Sequence, residues 1–404
     1  MNVLFLTLID MVSVDDYGIY QDLLRQMMKM GHQVYVVSPS ERRTGQPTRM
    51  IDGDCKILKV KIGNTTKTNI IEKGISTVMI EPQFKAAIRK YLSHVKFDLV
   101  MYSTPPITFA EVVKYIKKRD GAKSYLLLKD IFPQNAVDLG MMCKSGVKSA
   151  IYRFFRWKEE QLYAASDRIG CMSEANVKFV LENNPSVAPD VVEVCPNSVE
   201  IRDLSLSEQE RQEMRRKYGI PEDKKVFVYG GNLGKPQGIP FLMECLQHQM
   251  DNANAYFLVV GSGTEFGKLQ TFFDEKKPEN MKLMQHLPKE DYDRLVAACD
   301  VGMIFLDHRF TIPNFPSRLL SYMQAKLPVL VCTDPNTDIG QIAENGGFGW
   351  WCESCDADAF DDLVCQAMMA DLTEMGEKAY QYMKDYYSVE DSAATVCRFM
   401  QNQR

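Results

Sequence analysis

The sequence predicts an α/β protein built from two doubly wound, Rossmann-like domains in tandem. Short apolar runs alternate with longer amphipathic stretches from end to end, the pattern of βα units. The runs are continuous rather than alternating in polarity, as strands covered on both faces are. A chain of 404 residues is long enough for two or three such domains.

In the first half the runs 3–8, 33–37, 98–102, 125–128 and 168–171 read as buried parallel strands. Between the first two, residues 19–29 place Leu23, Leu24, Met27 and Met28 at helical spacing, and Gly31 stops the helix as a C′ glycine does. The second half repeats the pattern with strands at 226–229, 256–260, 301–306 and 329–332. A polar, charge-dense run over 200–225 reads as a partly helical interdomain linker. The predicted division is 1–198, 199–380 and a final helix, 381–404, that packs back on the first domain.

Composition excludes several classes. The balance of 48 Lys and Arg against 53 Asp and Glu gives −5, against a nucleic-acid-coating protein. No apolar run approaches the roughly 20 residues that span a bilayer. The opening MNVLFLTLIDMVSVDD lacks a basic n-region and a cleavage site, so it reads as a first strand. Eleven cysteines without repeated spacing suit reduced thiols in a cytoplasmic chain. The CxxC of Cys352 and Cys355 has no second pair, and the five histidines show no i, i+4 spacing, so no metal site is expected.

Two α/β domains place ligands at the carboxyl ends of their strands, in a cleft between facing sheets. The first loop, TLIDMVSVDDYGIY, has no GxGxxG, which argues against NAD and FAD. Gly18 precedes the first helix, where a missing Cβ lets a ligand approach the backbone; an ordinary turn glycine is the plain alternative. The strand at 226–229 runs into GGNLGKPQG, which sets Gly230, Gly231, Asn232 and Gln237 around one cation, Lys235. Such a loop suits phosphate oxygens, although it is not a P-loop. A further βα turn holds Gly263. In DHRFTIPNFPSRLLSYMQAKLPVLV, Pro316 and Ser317 open a helix with proline near N1, and Arg318 adds a planar charged fork. Helix start and guanidinium together predict a diphosphate site; a Pro-capped structural helix with a surface arginine is the bland reading. Asp130 ends a predicted strand, SYLLLKD, and either orients an acceptor hydroxyl or caps a helix. Ser103 and Thr104 share a similar lip.

The order of these motifs resembles the GT-B glycosyltransferases, in particular the retaining enzymes of glycosyltransferase family 4 in polysaccharide and O-antigen assembly. The likeness covers nearly the whole chain. It is carried by MGHQVYVVSPS, STPP, KDIFPQNAVDLG, CPNSVE, YGGNLGKPQG, VGSGTEFGKL, LPKEDYDRLVAACDVGMIFL and NFPSRLLSYMQAKLPVLV. The segment around Asp130 to Pro133 and the helix start at Pro316 look similar to fucosamine-transferase-like members. One departure stands out. The family's two glutamates, with seven residues between them, fall here on Pro313, with Asn314 beside it, and on Ser321.

The resemblance implies transfer of a sugar from a nucleotide-diphosphate donor to a glycan or polyprenyl-linked acceptor. It implies reaction on one face of the sugar, with the leaving diphosphate taking the acceptor proton and no metal or other cofactor. Asp130, Lys235 and Arg318 are then the catalytic candidates. Gly18, Ser103, Gly230, Gly231, Asn232, Gln237, Gly263, Asn314, Pro316, Ser317 and Ser321 line the substrates. The segment 144–169 interleaves Lys144, Lys148, Arg153, Arg156 and Lys158 with Ile151, Tyr152, Phe154, Phe155 and Trp157, which suits peripheral contact with the inner face of the plasma membrane. Packing of Ile151, Phe155 and Tyr163 into the domain is the alternative. Two other functions fit the fold: a sugar-nucleotide-binding scaffold lacking turnover, and a UDP-sugar 2-epimerase.

Overall fold

The computed structural model describes residues 1–66, 68, 70–146 and 149–401. Lys148 of the basic segment lies outside them. The chain divides into two compact units, Met1–Glu200 with Val389–Arg404, and Ile201–Ser388.

The first unit is a sheet with helices on both faces. Its strands are β1 (Asn2–Leu6), β2 (Gln33–Glu41), β3 (Arg49–Ile51), β4 (Lys56–Ile62), β5 (Leu99–Ser103), β6 (Lys123–Leu128), β7 (Arg168–Cys171) and β8 (Val192–Val194). Its helices are α1 (Ile19–Lys29), α2 (Ile70–Tyr91), α3 (Ala110–Asp120), α4 (Gln134–Asp138), α5 (Ser149–Ala165) and α6 (Glu174–Asn183). Strand order is β3-β4-β2-β1-β5-β6-β7-β8, parallel except for the β3–β4 pair. The order reverses between β1 and β5, so the topological switch point lies at their carboxyl ends.

The helix α1 has the predicted bounds, and Gly31 (φ +84°) follows its last turn. Leu23, Leu24 and Met27 are buried against Phe5 and Met101. That same core receives Val396 and Phe399 from the final helix of the chain.

In the second unit α7 (Glu208–Lys217) leads to β9 (Lys225–Asn232), followed by α8 (Ile239–His248), β10 (Ala255–Ser262), α9 (Phe266–Lys276), β11 (Met281–Met284), α10 (Lys289–Ala297) and β12 (Val301–Phe305). Then come α11 (Arg318–Gln324), β13 (Val329–Thr333), α12 (Ile339–Asn345), β14 (Gly349–Glu353), α13 (Ala357–Met369) and α14 (Leu372–Tyr386). The chain then returns to the first unit as α15 (Val389–Gln401). The sheet is β11-β10-β9-β12-β13-β14, all parallel, and its switch point falls between β9 and β12. The loops after those two strands are the two that the sequence marks for phosphate.

The run read as a linker behaves otherwise. Residue 200 closes the first unit: the Glu200 carboxylate accepts from Arg25 (3.1 Å) and Lys29 (2.6 Å), and its N–H donates to Asp22 (2.9 Å). From Ile201 onward the run belongs to the second unit. Ser207 and Glu210 form a capping box at α7, and Arg211 and Arg215 both reach the Asp300 carboxylate. Charges that look solvent-bound in one dimension are spaced to share a single acid.

Candidate active site

At the carboxyl end of β9 the chain must turn sharply beside β10. Gly231 adopts φ +116°, which an L side chain rarely does. A Cβ on Gly263 would lie 2.3 Å from the Leu233 carbonyl oxygen, so the second predicted glycine turn is a packing requirement. Leu233 N–H donates to Ser262 O (2.9 Å), and Asn232 Nδ2 donates to Gln237 Oε1 (3.0 Å). These two candidate side chains brace the loop between them. Lys235 stands exposed in the 3₁₀ turn that follows, before Gly238 opens α8.

Asp307, after β12, donates its N–H to Pro236 O (3.0 Å), which ties the two loops together. Asn314 N–H donates to Thr337 Oγ1 (3.1 Å), and Thr337 donates in turn to buried Asp334 (2.9 Å). The helix begins later than proline preference predicts. Arg318 is its first residue, exposed Ser317 is the N-cap without a side-chain cap bond, and Pro316 precedes both. The Ser317 backbone already has helical angles (φ −62°, ψ −14°), but α11 gains its regular ladder only one step on. Ser321 sits a turn further along, half-buried.

Arg318 joins the two loops. Its guanidinium carbon lies 4.4 Å from the centre of the Tyr229 ring and 3.9 Å from where a Gly231 Cβ would be. Its Nη1 is buried and, among the described residues, has no hydrogen-bond partner. Burial works against the charge, yet the neighbouring Tyr229 and Tyr322 hydroxyls outweigh it and hold the guanidinium above its ordinary pKa. A buried, unpaired cationic donor is costly unless an anion meets it. Gly230, Gly231 and Arg318 are thus brought together at a strand-order reversal, where open α/β sheets take ligands.

The first unit places Ser103 at the end of β5 and Asp130 just past β6. Ser103 is hydrogen-bonded to Tyr20, which also feels the Asp130 charge. Thr104 Oγ1 accepts from both Lys129 N–H (2.9 Å) and Asp130 N–H (3.0 Å), and Asn135 Nδ2 donates to Asp130 Oδ1 (2.8 Å). Asp130 caps no helix, since the N-cap of α4 is Pro133. Gly18 is extended (φ 173°) and gives its N–H to Asp22 (3.1 Å), so its amide is used within the unit.

Burial raises Asp130 to about 6, against the pull of Asn135 and the Ile131 amide. The folded state therefore holds a proton that the unfolded chain releases near pH 4, and stability falls as pH rises from about 4 to about 6. Asp130→Asn should flatten that fall. Melting curves across this window check it; a wild-type slope in the variant contradicts the assignment.

The basic segment does two things at once. Tyr163 and Leu162 are buried, while Ile151, Phe154 and Trp157 are exposed. Arg156 pairs with Glu159, and Lys158 Nζ lies 2.7 Å from Glu81 on α2, so these cations face inward. In the second unit, His248 on α8 meets Asp361 of α13 at 2.8 Å, an ion pair that raises the imidazole pKa, with Asp358 nearby. Helical spacing alone does not reveal that grouping, because its members come from two helices. Tyr229, Tyr292 and Tyr322 around Arg318 were also out of reach of motif reading; only the tyrosine directly before Gly230 carries a local signal.

Known proteins share this fold. A family model for Glycosyltransferase Family 4 matches residues 20–203, and one for Glycosyl transferases group 1 matches residues 210–385. Two parallel-sheet α/β units of this kind are the architecture of the GT-B glycosyltransferases. The chain belongs to that class, with a family 4 domain followed by a group 1 domain, and is a glycosyltransferase. It is 25% identical over 370 residues to the probable glycosyltransferase WbjE of Pseudomonas aeruginosa, spanning 89% of this chain and 86% of that one. It is 24% identical over 260 residues to the putative colanic acid biosynthesis glycosyl transferase WcaI of Escherichia coli, 62% and 60% of the two chains. Among solved structures, HepE of Anabaena in complex with UDP-glucose superposes with a TM-score of 0.71 at 12% identity, covering 100% of each chain.

Proposed function

We propose that the chain moves a sugar, with retention, from a nucleoside-diphosphate donor held at the switch point of the second unit to a glycan or polyprenyl-linked acceptor of cell-surface polysaccharide. The observation that carries this is the Arg318 guanidinium, with a buried and unpartnered Nη1, set against the glycine loop. A diphosphate supplies pairs of non-bridging oxygens that such a planar fork can meet bidentately. UDP-glucose in the HepE structure supports the donor class, and the colanic acid relative supports the acceptor class.

In this reading the bond between the anomeric carbon and the diphosphate oxygen breaks as the acceptor oxygen bonds to the same face. The departing oxygen takes the acceptor proton. Arg318, aided by Lys235, neutralises the charge that develops on the leaving group, the role of preorganised donors in transfer reactions, and no metal is assigned to it. Ser321 stands at the second of the family's glutamate positions and Asn314 beside the first, which is Pro313, and they offer neutral hydrogen bonds to the ribose and the sugar. Asp130, with a proton affinity near neutrality, orients the acceptor hydroxyl. Mixing the protein with UDP- and GDP-sugars and a polyprenyl-linked acceptor tests the reading. Release of nucleotide with a product of unchanged anomeric configuration is expected; an inverted product removes retention, and no release with any donor removes the function.

No helix among the described residues is long and apolar enough to cross a membrane. The stripe of Ile151, Phe154 and Trp157 on α5 instead suits a helix lying on the inner face of the plasma membrane, where a polyprenyl acceptor is presented. α2, joined to α5 through Glu81 and Lys158, exposes Ile75, Val78 and Met79 as well. Co-sedimentation with anionic vesicles should fall at least severalfold in a Phe154→Ala, Trp157→Ala double variant. Equal pelleting of variant and wild type removes the membrane contact.

A further inference from the structure

Among the residues around Arg318, Tyr229 bears on both halves of the site. Its ring is fully buried in the second unit and lies under the guanidinium at 4.4 Å. Its hydroxyl donates to the Asn232 carbonyl oxygen at 2.8 Å, on the far side of Gly231. One side chain therefore supports the cation and fixes the turn beside it. Tyr322, one turn after Arg318 on α11, adds a second brace: its oxygen accepts from Gly230 N–H (3.1 Å) and lies 3.2 Å from both Val228 O and Met303 O. The edge of Tyr292 covers Gly230 so closely that a Cβ there would lie 1.9 Å from the phenol oxygen. Tyr322 and Tyr292 join backbone to helix, whereas the Tyr229 ring faces the charge itself.

We infer that Tyr229 is a positioning residue for the diphosphate: its ring face holds the Arg318 guanidinium in the plane in which it meets the phosphate oxygens. This rests on the donor site proposed above. A long, flexible arginine side chain loses its orientation unless something stacks against it, and an aromatic face attracts a guanidinium through its quadrupole. Among the described residues no protein acceptor meets the buried Nη1 of Arg318, so the ring of Tyr229 at 4.4 Å is the contact that orients the group.

The test is calorimetric titration of UDP against uridine, and of GDP against guanosine, on the whole chain. The wild type should prefer one diphosphate to its own nucleoside. Arg318→Ala should lose about tenfold or more of that preference, and Tyr229→Leu should lose about as much, while Tyr229→Phe, which keeps the ring, should retain most of it. Phenylalanines at 229 carrying one, two or three fluorines keep the shape while draining the ring face, so they serve even where Tyr229→Leu does not fold. The preference should decline step by step along that series. A flat series, or Tyr229→Leu matching wild type while Arg318→Ala does not, overturns the role of Tyr229 and leaves the donor site standing. If the wild type prefers neither diphosphate to its nucleoside, the donor site fails and the inference fails with it.

Discussion

Arg318→Ala is expected to lower turnover about a hundredfold at saturating donor, on the order of 3 kcal/mol in the barrier, with little change in melting temperature. The large kinetic effect follows from placement. The guanidinium is desolvated among tyrosines, where each interaction with a developing charge is worth more than in water. Stability changes little because two terms oppose: the stacking on Tyr229 is lost, but so is a buried donor that has no protein partner. Lys235→Ala should cost less, about tenfold, and its cost should shrink as salt rises, because Lys235 is exposed and screened. Steady-state rates with a polyprenyl acceptor, paired with thermal melts, check both. Rates within threefold of wild type for Arg318→Ala would sink the leaving-group role.

Asp300→Ala is the substitution with the largest expected effect on stability, about 3 kcal/mol in the unfolding of the second unit. Asp300 Oδ2 accepts from Arg215 Nη2 at 2.6 Å and from Val226 N–H at 2.7 Å, and Oδ1 accepts from Arg211. Its loss leaves Arg215, only 4% exposed, as a buried cation with carbonyl partners but no counter-charge. It also frees the Val226 amide, the second of the strand that leads to the glycine loop. The cost stays at the lower end for a broken buried pair, since Ala298 O at 2.8 Å and Lys224 O at 3.0 Å still hold the guanidinium. Asp300→Asn should lose roughly half as much, because the amide oxygen can still accept. Urea titrations followed by a probe in the second unit measure both; a loss below about 1 kcal/mol for alanine contradicts the account.

Much of the fold was legible because its signals are local. The helix over Ile19–Lys29 was readable to the residue, since a 3.6-residue apolar period ends at a glycine that then adopts φ +84°. Most central strands were readable as apolar runs, but β4 was not, because three lysines stand among its apolar residues. The edge strands β3, β8 and β11 were not, being three or four residues long and only partly buried. α2 also escaped, because it is apolar on its exposed face as well as its buried one, and the helical period blurs. The run at 200–225 looked like a linker for want of its partner: nothing near Arg211 or Arg215 in the chain announces Asp300.

The candidate site divides along the same line. Glycines at 230, 231 and 263 and the cations at 235 and 318 mark themselves, since turn chemistry and phosphate chemistry use few residue types at short spacing. That two tandem α/β units occur, and that the first carries no dinucleotide fingerprint, also follows from the chain read alone. Tertiary structure decided the rest: that β9 and β12 are neighbours, that their loops therefore converge, and that Arg318 rests on Tyr229 with one nitrogen left over. Strand order and ring stacking join residues far apart in the chain, and no local period or motif encodes which of them meet.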